Sequence, residues 1–270
     1  MNKLFDGKKE ALIIKDIIKK NISDRVLTLG ILQIGDDYMS NIFIREKMKF
    51  AKEVGININY QKIQKSDSTT LDYYIDKFNS DNNINAYLIQ LPLVGIKDKN
   101  YFLEKINKDK DIDCLTSINY AKVLLGNYTF APGVYLAFRY IFKKLNVDKS
   151  SNILIVGGGF VGRSIANYLI LEKYNVFIVD RYIEDISLYS KLSDVIIFSA
   201  GVSNVIKKQD IKDNSILINI GASANLDDTF EGGISEDTID KAKFFVPIKG
   251  GIGPMTIAML FKSLSEIDLK

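Results

Sequence analysis

Residues 153–162 constrain the fold of this chain more than any other stretch. The apolar run Ile153-Leu154-Ile155-Val156 feeds directly into Gly157-Gly158-Gly159-Phe160-Val161-Gly162, and Ile165, Ala166, Leu169 and Ile170 follow at helical spacing. An unbroken apolar run predicts a strand buried on both faces, as in a parallel sheet, and the glycines mark a sharp strand-to-helix turn. A second apolar run, Val176–Val179, ends at Asp180. Strand, glycine turn, helix and strand together make one βαβ unit.

The alternation continues on both sides. After Asp6-Gly7, Ala11, Ile14, Ile17 and Ile18 predict a helix, and Val26–Ile34 predicts a buried strand closed by Gly35. Ser40 is expected to cap a helix running to Val54, with Gly55 as its stop. Strands are expected at Ile56–Ile63 and Ala86–Leu91, with a helix at Thr70–Asn79 between them. A helix at Pro132–Leu145 leads to the second alternation, with strands at Val195–Ala200, Ile216–Ile220 and Phe244–Val246 and a closing helix at Met255–Ile267. The fold class is therefore α/β, with two strand–helix alternations meeting near residue 130 and the second forming a parallel sheet behind the glycine turn. There is no internal repeat and no low-complexity tract.

The glycine spacing has separable physical consequences. Gly157 permits the tight turn, Gly159 lets backbone approach a pyrophosphate, and Gly162 permits close helix–strand contact. Phe160, Val161 and Arg163 open the helix, whose unpaired N–H groups are suited to phosphate. Asp180 stands where a carboxylate accepts hydrogen bonds from a ribose 2′-OH, which favours NAD over NADP. Arg181 and Arg163 support the opposite choice, because either can pair with a 2′-phosphate. Ser199-Ala200-Gly201 and Ile220-Gly221 each follow an apolar strand and fall at the carboxyl edge, where open parallel sheets bind ligands. Each of these turns also serves a fold with no ligand, simply by letting a helix lie on a sheet.

Composition excludes several chemistries. No histidine is present, so the usual general base and the commonest metal ligand are missing. The single Cys114 excludes an intramolecular disulfide and a thiolate metal cluster. Lys+Arg 36 against Asp+Glu 33 leaves a formal charge of +3, scattered rather than clustered, which gives nucleic-acid binding no support. Residues 1–14 carry five charges and lack the core of a signal peptide, and no run approaches the roughly 18 apolar residues of a membrane span. A cytoplasmic protein without a metal is expected, with its chemistry drawn from Lys, Asp, Glu, Tyr or a cofactor.

Five motifs in order resemble those of the bifunctional methylenetetrahydrofolate dehydrogenase/methenyltetrahydrofolate cyclohydrolases. They are Asp6-Gly7-Lys8; Gly35 to Gly55 with Ser40, Ile42 and Lys47; Gln90-Leu91-Pro92-Leu93; Lys110-Asp111-Ile112-Asp113; and Gly250-Gly251-Ile252-Gly253-Pro254-Met255-Thr256. The resemblance implies an α/β folate-binding catalytic domain over residues 1–130, completed by 254–270, a Rossmann-type parallel-sheet domain over 131–253, a folate site in the cleft between them, and a homodimer. It implies oxidation of 5,10-methylenetetrahydrofolate with NAD(P), then hydrolysis of methenyl to 10-formyltetrahydrofolate.

The same resemblance assigns Lys47 as the catalytic lysine, with Gln90 and Asp113 as its partners. A lysine beside a cationic methenyl group should lose its proton readily and then assist water attack. Gln90 would orient the amine, and Asp113 would accept N–H bonds from the pterin ring. Phe43, Gly253, Pro254 and Thr256 would line the substrate. Without the resemblance, Lys47 reads as a surface lysine, Gln90 as a strand-end polar residue, Asp113 as a turn residue, and Pro254 as a rigid helix start.

Four positions depart from the family pattern. Phe43 replaces a tyrosine four residues before the lysine, Cys114 replaces glycine, Lys249 replaces proline, and Phe130-Ala131-Pro132 replaces a Pro-Cys-Thr-Pro-like stretch. Retention of Lys47, Gln90 and Asp113 favours an enzyme. The altered surroundings leave open a relative with one activity or a changed substrate, and a non-catalytic nucleotide- or folate-binding protein.

Overall fold

The computed structural model describes residues 3–180, 182–224 and 230–267. The chain forms two compact units, Leu12–Gly133 with Ile257–Lys270, and Met1–Ala11 with Val134–Thr256. The boundaries fall inside helix α1 (Gly7–Ile22), after the first residue of the helix that starts at Gly133, and inside the last helix.

In the first unit, β1 (Thr28–Ile34), β2 (Asn57–Ile63) and β3 (Ala86–Gln90) form a parallel sheet in the order β2-β1-β3. Register places Gln33 of β1 beside Gln90 of β3. Leu32, Phe78, Tyr87 and Ile89 are fully buried in its core, where the Phe78 and Tyr87 rings meet edge to face at 5.5 Å. Gly30 makes this possible, since a Cβ there would lie 2.7 Å from the Phe78 ring.

Helix α2 (Tyr38–Val54) starts two residues before the expected cap. Asp37, not Ser40, is the N-cap, and its carboxylate accepts from Ser40 N at 2.8 Å. Both residue types can cap; Asp37 has the extended backbone that a cap needs (φ −93°, ψ 128°). Gly55 ends the helix in the left-handed region at φ 79°. Helix α3 (Ser68–Ser80) buries Leu71, Ile75 and Phe78. Helices α4 (Lys99–Glu104) and α5 (Ser117–Leu124) were not expected; at six and eight residues they are too short to display a period.

In the second unit, helix α6 (Gly133–Leu145) is followed by β4 (Asn152–Val156), α7 (Phe160–Leu171), β5 (Asn175–Val179), α8 (Ser187–Ser190), β6 (Val195–Phe198) and β7 (Ile216–Asn219). A short antiparallel pair, β8 (Ala222–Ala224) and β9 (Phe230–Gly232), precedes β10 (Phe244–Val246) and α9 (Gly253–Ser265). The main sheet is parallel with order β10-β7-β6-β4-β5. Strand order reverses beside β4, so the crevice of this sheet opens where Gly157 and Ala200 lie.

The amino-terminal segment, which the expected division groups with the folate domain, pairs with β10. Leu4 bridges Phe245 in parallel, Phe5 N donates to Phe245 O at 2.9 Å, and Phe245 N donates to Lys3 O at 2.8 Å. An edge strand has unpaired backbone groups, and residues 3–5 satisfy those of β10. Among the described residues, no helix is long and apolar enough to cross a membrane. Among them also, no cluster of three or more His, Cys, Asp and Glu is arranged to hold a metal ion.

Candidate active site

Lys47 projects from the buried face of α2 and is only 7% exposed. Its Nζ donates to Gln90 Oε1 at 2.9 Å, while Gln90 Nε2 donates to Leu91 O at 3.2 Å. Gln90 ends β3, so the pair lies at the carboxyl edge of the three-stranded sheet. Ser40 Oγ donates to Leu91 O at 3.0 Å, tying the start of α2 to that same strand end.

Burial pushes the Lys47 pKa below the usual lysine range, and the charge of Asp113 opposes the shift. Burial pushes the Asp113 carboxyl up, against the pull of Lys47 and a backbone hydrogen bond from Gly133. The expected cause was a cationic substrate; in this structure desolvation lowers the lysine by itself.

Asp113 is presented by a loop built on Asp111, a member of the same motif with no role expected of it. Asp111 is fully buried, and its carboxylate accepts from Leu115 N (2.9 Å), Thr116 N (2.9 Å), Thr116 Oγ1 (2.7 Å) and Asn119 Nδ2 (3.1 Å). Its backbone bridges Tyr87 of β3. The available signal was Thr116, which caps α5 shortly after the acidic pair.

In the other unit, Gly157 has φ +105°, a conformation that side chains rarely adopt. A Cβ at Gly162 would lie 1.9 Å from Gly157 O, whereas one at Gly159 would meet nothing within 4 Å. Gly159 is the N-cap of α7 and supplies no side chain to it. Among the described residues, no acceptor takes the N–H of Gly158 or Gly159. Arg163 is exposed, and its Nε donates back to Gly158 O at 2.7 Å. Phe160 and Val161 form the first turn of α7.

Asp180 is exposed and follows Val179, the register partner of Val156. Ala200 and Gly221 are in close contact, since a Cβ at Gly221 would lie 2.2 Å from Ala200 O; Gly201 follows directly. Arg181 lies outside the described residues. Ser199, which the sequence places in a glycine turn without a role of its own, has its Oγ 2.8 Å from Gly157 O.

Gly253, Pro254 and Thr256 open α9, and Thr256 Oγ1 donates back to Ile252 O at 3.0 Å. Two motifs far apart in sequence meet just before it. A Cβ at Gly7 would lie 1.9 Å from Gly251 O, so only glycine fits there.

Residues 5–113 match the catalytic domain of the tetrahydrofolate dehydrogenase/cyclohydrolase family, and residues 136–269 match its NAD(P)-binding domain. The chain belongs to the tetrahydrofolate dehydrogenase/cyclohydrolase family. It is 30% identical to the bifunctional protein FolD of Bacillus subtilis (strain 168) over 266 residues, covering 95% of this chain and 94% of the relative. It is 32% identical to the bifunctional protein FolD of Nautilia profundicola over 270 residues, covering 96% and 95%. The crystal structure of the bifunctional enzyme FolD-methylenetetrahydrofolate dehydrogenase/cyclohydrolase from Campylobacter jejuni superposes with a TM-score of 0.90 at 28% identity, covering 97% of each chain.

Family membership gives the departures a structural meaning. Phe43 is half-buried on α2, one helical turn before Lys47 and on the same face. Cys114 has φ +53°, the left-handed region in which the family's glycine is at ease, and its buried Sγ donates to Phe130 O at 3.0 Å. Burial pushes this thiol's pKa up. Lys249 has φ −77°, a value close to the one that the family's proline imposes.

Proposed function

We propose that this chain oxidises 5,10-methylenetetrahydrofolate to the methenyl form with NAD(P), and hydrolyses methenyl to 10-formyltetrahydrofolate, with Lys47 as the proton-transfer group. The observation that carries this reading is the buried Lys47 amine, hydrogen-bonded to Gln90 and balanced by Asp113.

The residues present fit a nicotinamide dinucleotide, since the glycine turn offers two N–H groups without acceptors and open space before Gly159. Gly157, Gly159, Phe160, Val161 and Gly162 would hold its pyrophosphate, with Ala200, Gly201 and Gly221 along the crevice. A bound nicotinamide would supply the hydride acceptor for the methylene carbon. That carbon becomes cationic, and a neutral Lys47 does not repel it. The Asp113 carboxylate offsets the developing charge and accepts N–H bonds from the pterin.

Hydrolysis uses the same groups. Neutral Lys47 takes a proton as water adds to the methenyl carbon, and Gln90 Oε1 holds the resulting ammonium. The tetrahedral intermediate collapses to the N10 formyl group as its bond to N5 breaks. Lys47 returns a proton to N5, and the hydroxyl proton of the intermediate leaves to solvent. Phe43, one helical turn before Lys47 on α2, lines the folate in this reading.

For the cofactor we propose NAD over NADP. Asp180 follows the strand beside β4, where a carboxylate accepts from a 2′-OH and repels a 2′-phosphate. From the family resemblance we also propose a cytoplasmic homodimer, which sedimentation at micromolar concentration tests.

One assay tests the function. Methylenetetrahydrofolate is supplied with NAD or NADP, reduced nicotinamide and methenyl are followed separately, and methenyl is then supplied directly. Both steps should proceed, the first faster with NAD. No turnover in either arm by the folded protein overturns the reading; turnover in one arm identifies a monofunctional relative.

A further inference from the structure

The glycine turn of the second unit is held by two side chains outside the Gly157-x-Gly159-x-x-Gly162 pattern. Ser199 Oγ reaches Gly157 O at 2.8 Å and Val156 O at 3.2 Å from the end of β6. It also lies 2.7 Å from where a Cβ on Gly162 would stand. The Gly157 carbonyl is thus lodged between the Ser199 hydroxyl and the Gly162 backbone. Arg163 Nε pins the next carbonyl, that of Gly158, at 2.7 Å.

The consequence follows from peptide geometry. In a planar trans peptide the N–H points opposite the C=O. Turning Gly157 O toward Ser199 turns Gly158 N–H away from it, and holding Gly158 O on Arg163 turns Gly159 N–H away from that side chain. These are the two N–H groups with no acceptor among the described residues. A glycine-rich turn left to itself samples many conformations, so holding both peptide planes lowers the entropy lost on binding an anion.

We propose that Ser199 and Arg163 are positioning residues for the dinucleotide pyrophosphate, acting through the backbone of the turn rather than by touching the phosphate. This rests on the dinucleotide reading above. It changes the role first expected for Arg163, from a charge partner of phosphate to a clamp on Gly158 O.

The test compares Ser199→Ala, Arg163→Gln and Arg163→Lys in the full chain, by calorimetric titration with NAD and separately with adenosine, which has no pyrophosphate. Ser199→Ala and Arg163→Gln should each weaken NAD roughly threefold to tenfold, the size expected for one lost hydrogen bond. Adenosine affinity should not change, and the Arg163→Gln loss should persist at 0.5 M salt. Arg163→Lys should recover part of the loss, since an ammonium can still donate to Gly158 O. A far-ultraviolet circular dichroism spectrum and a cooperative thermal melt report an intact fold for each variant.

Unchanged NAD affinity in Ser199→Ala, or equal losses for NAD and adenosine, overturns the proposal. So does an Arg163→Gln loss that vanishes at high salt, which is the mark of a direct ion pair with phosphate. If the wild-type chain binds neither NAD nor NADP, the dinucleotide reading itself has failed, an outcome distinct from these; if it binds NADP alone, the same titrations are made with NADP.

Discussion

Lys47 Nζ donates to Gln90 Oε1 at 2.9 Å, so the hydrogen-bond partner of this buried lysine is a neutral amide rather than a carboxylate. An amide orients the amine without adding the full attraction that would keep it protonated. Burial lowers the pKa, and Asp113 limits the fall.

The pH profile of methenyl hydrolysis should follow from that arrangement. Below the lowered pKa Lys47 is an ammonium and cannot accept a proton, so the rate should rise with pH through a pKa below the usual lysine range. Gln90→Glu adds a negative charge beside the amine and should move this rising limb upward by about 1 unit or more. Lys47→Met should abolish it. Rate profiles of the three proteins decide the matter, and a limb unmoved in Gln90→Glu removes Lys47 as its source.

Phe43→Tyr restores a hydroxyl one helical turn from Lys47. The residue is half-buried, so the added oxygen reaches solvent or substrate and stability should change by less than about 0.5 kcal/mol. Hydrolysis is expected to rise several-fold, with a smaller effect on the oxidation step. Equal rates before and after would show that the missing hydroxyl does not limit this enzyme.

Two glycine substitutions should separate binding from folding. Gly159→Ala adds a methyl with nothing within 4 Å, so the melting temperature should hold while NAD affinity falls. Gly162→Ala drives a methyl to 1.9 Å from Gly157 O and should destabilise the protein by at least about 2 kcal/mol. Thermal melts with NAD titrations distinguish the two; the reverse pattern would contradict the backbone geometry.

Asp111→Ala leaves buried donors on Leu115, Thr116 and Asn119 without an acceptor. The expected loss is on the order of 3–5 kcal/mol in urea denaturation. Hydrolysis should fall with it, because Asp113 is presented by the same loop. A change under about 1 kcal/mol would mean that the network is dispensable.

Cys114 should resist alkylation in the native protein and react at once in denaturant, because burial raises its pKa and leaves it unexposed. Rapid labelling under native conditions would contradict its placement.

Much of this protein was decided locally and was legible in the chain itself. Apolar runs at 153–156 and 216–219, the glycine turn, and the Gly55 stop depend on φ/ψ preference and periodicity over a few residues. Phe43 and Lys47 share a face because helix geometry puts residues four apart together. What only the tertiary structure decided is which distant groups meet: Gln33 beside Gln90, Lys47 on Gln90, Gly7 against Gly251, Ser199 under Gly157, and residues 3–5 along β10. Asp37 displaced Ser40 as the cap for a related reason, since both residue types suit the position and backbone geometry chose between them. Strand order and register set these meetings. Any buried apolar run serves equally well beside any other until the whole sheet is assembled, so local preference is silent about its neighbours.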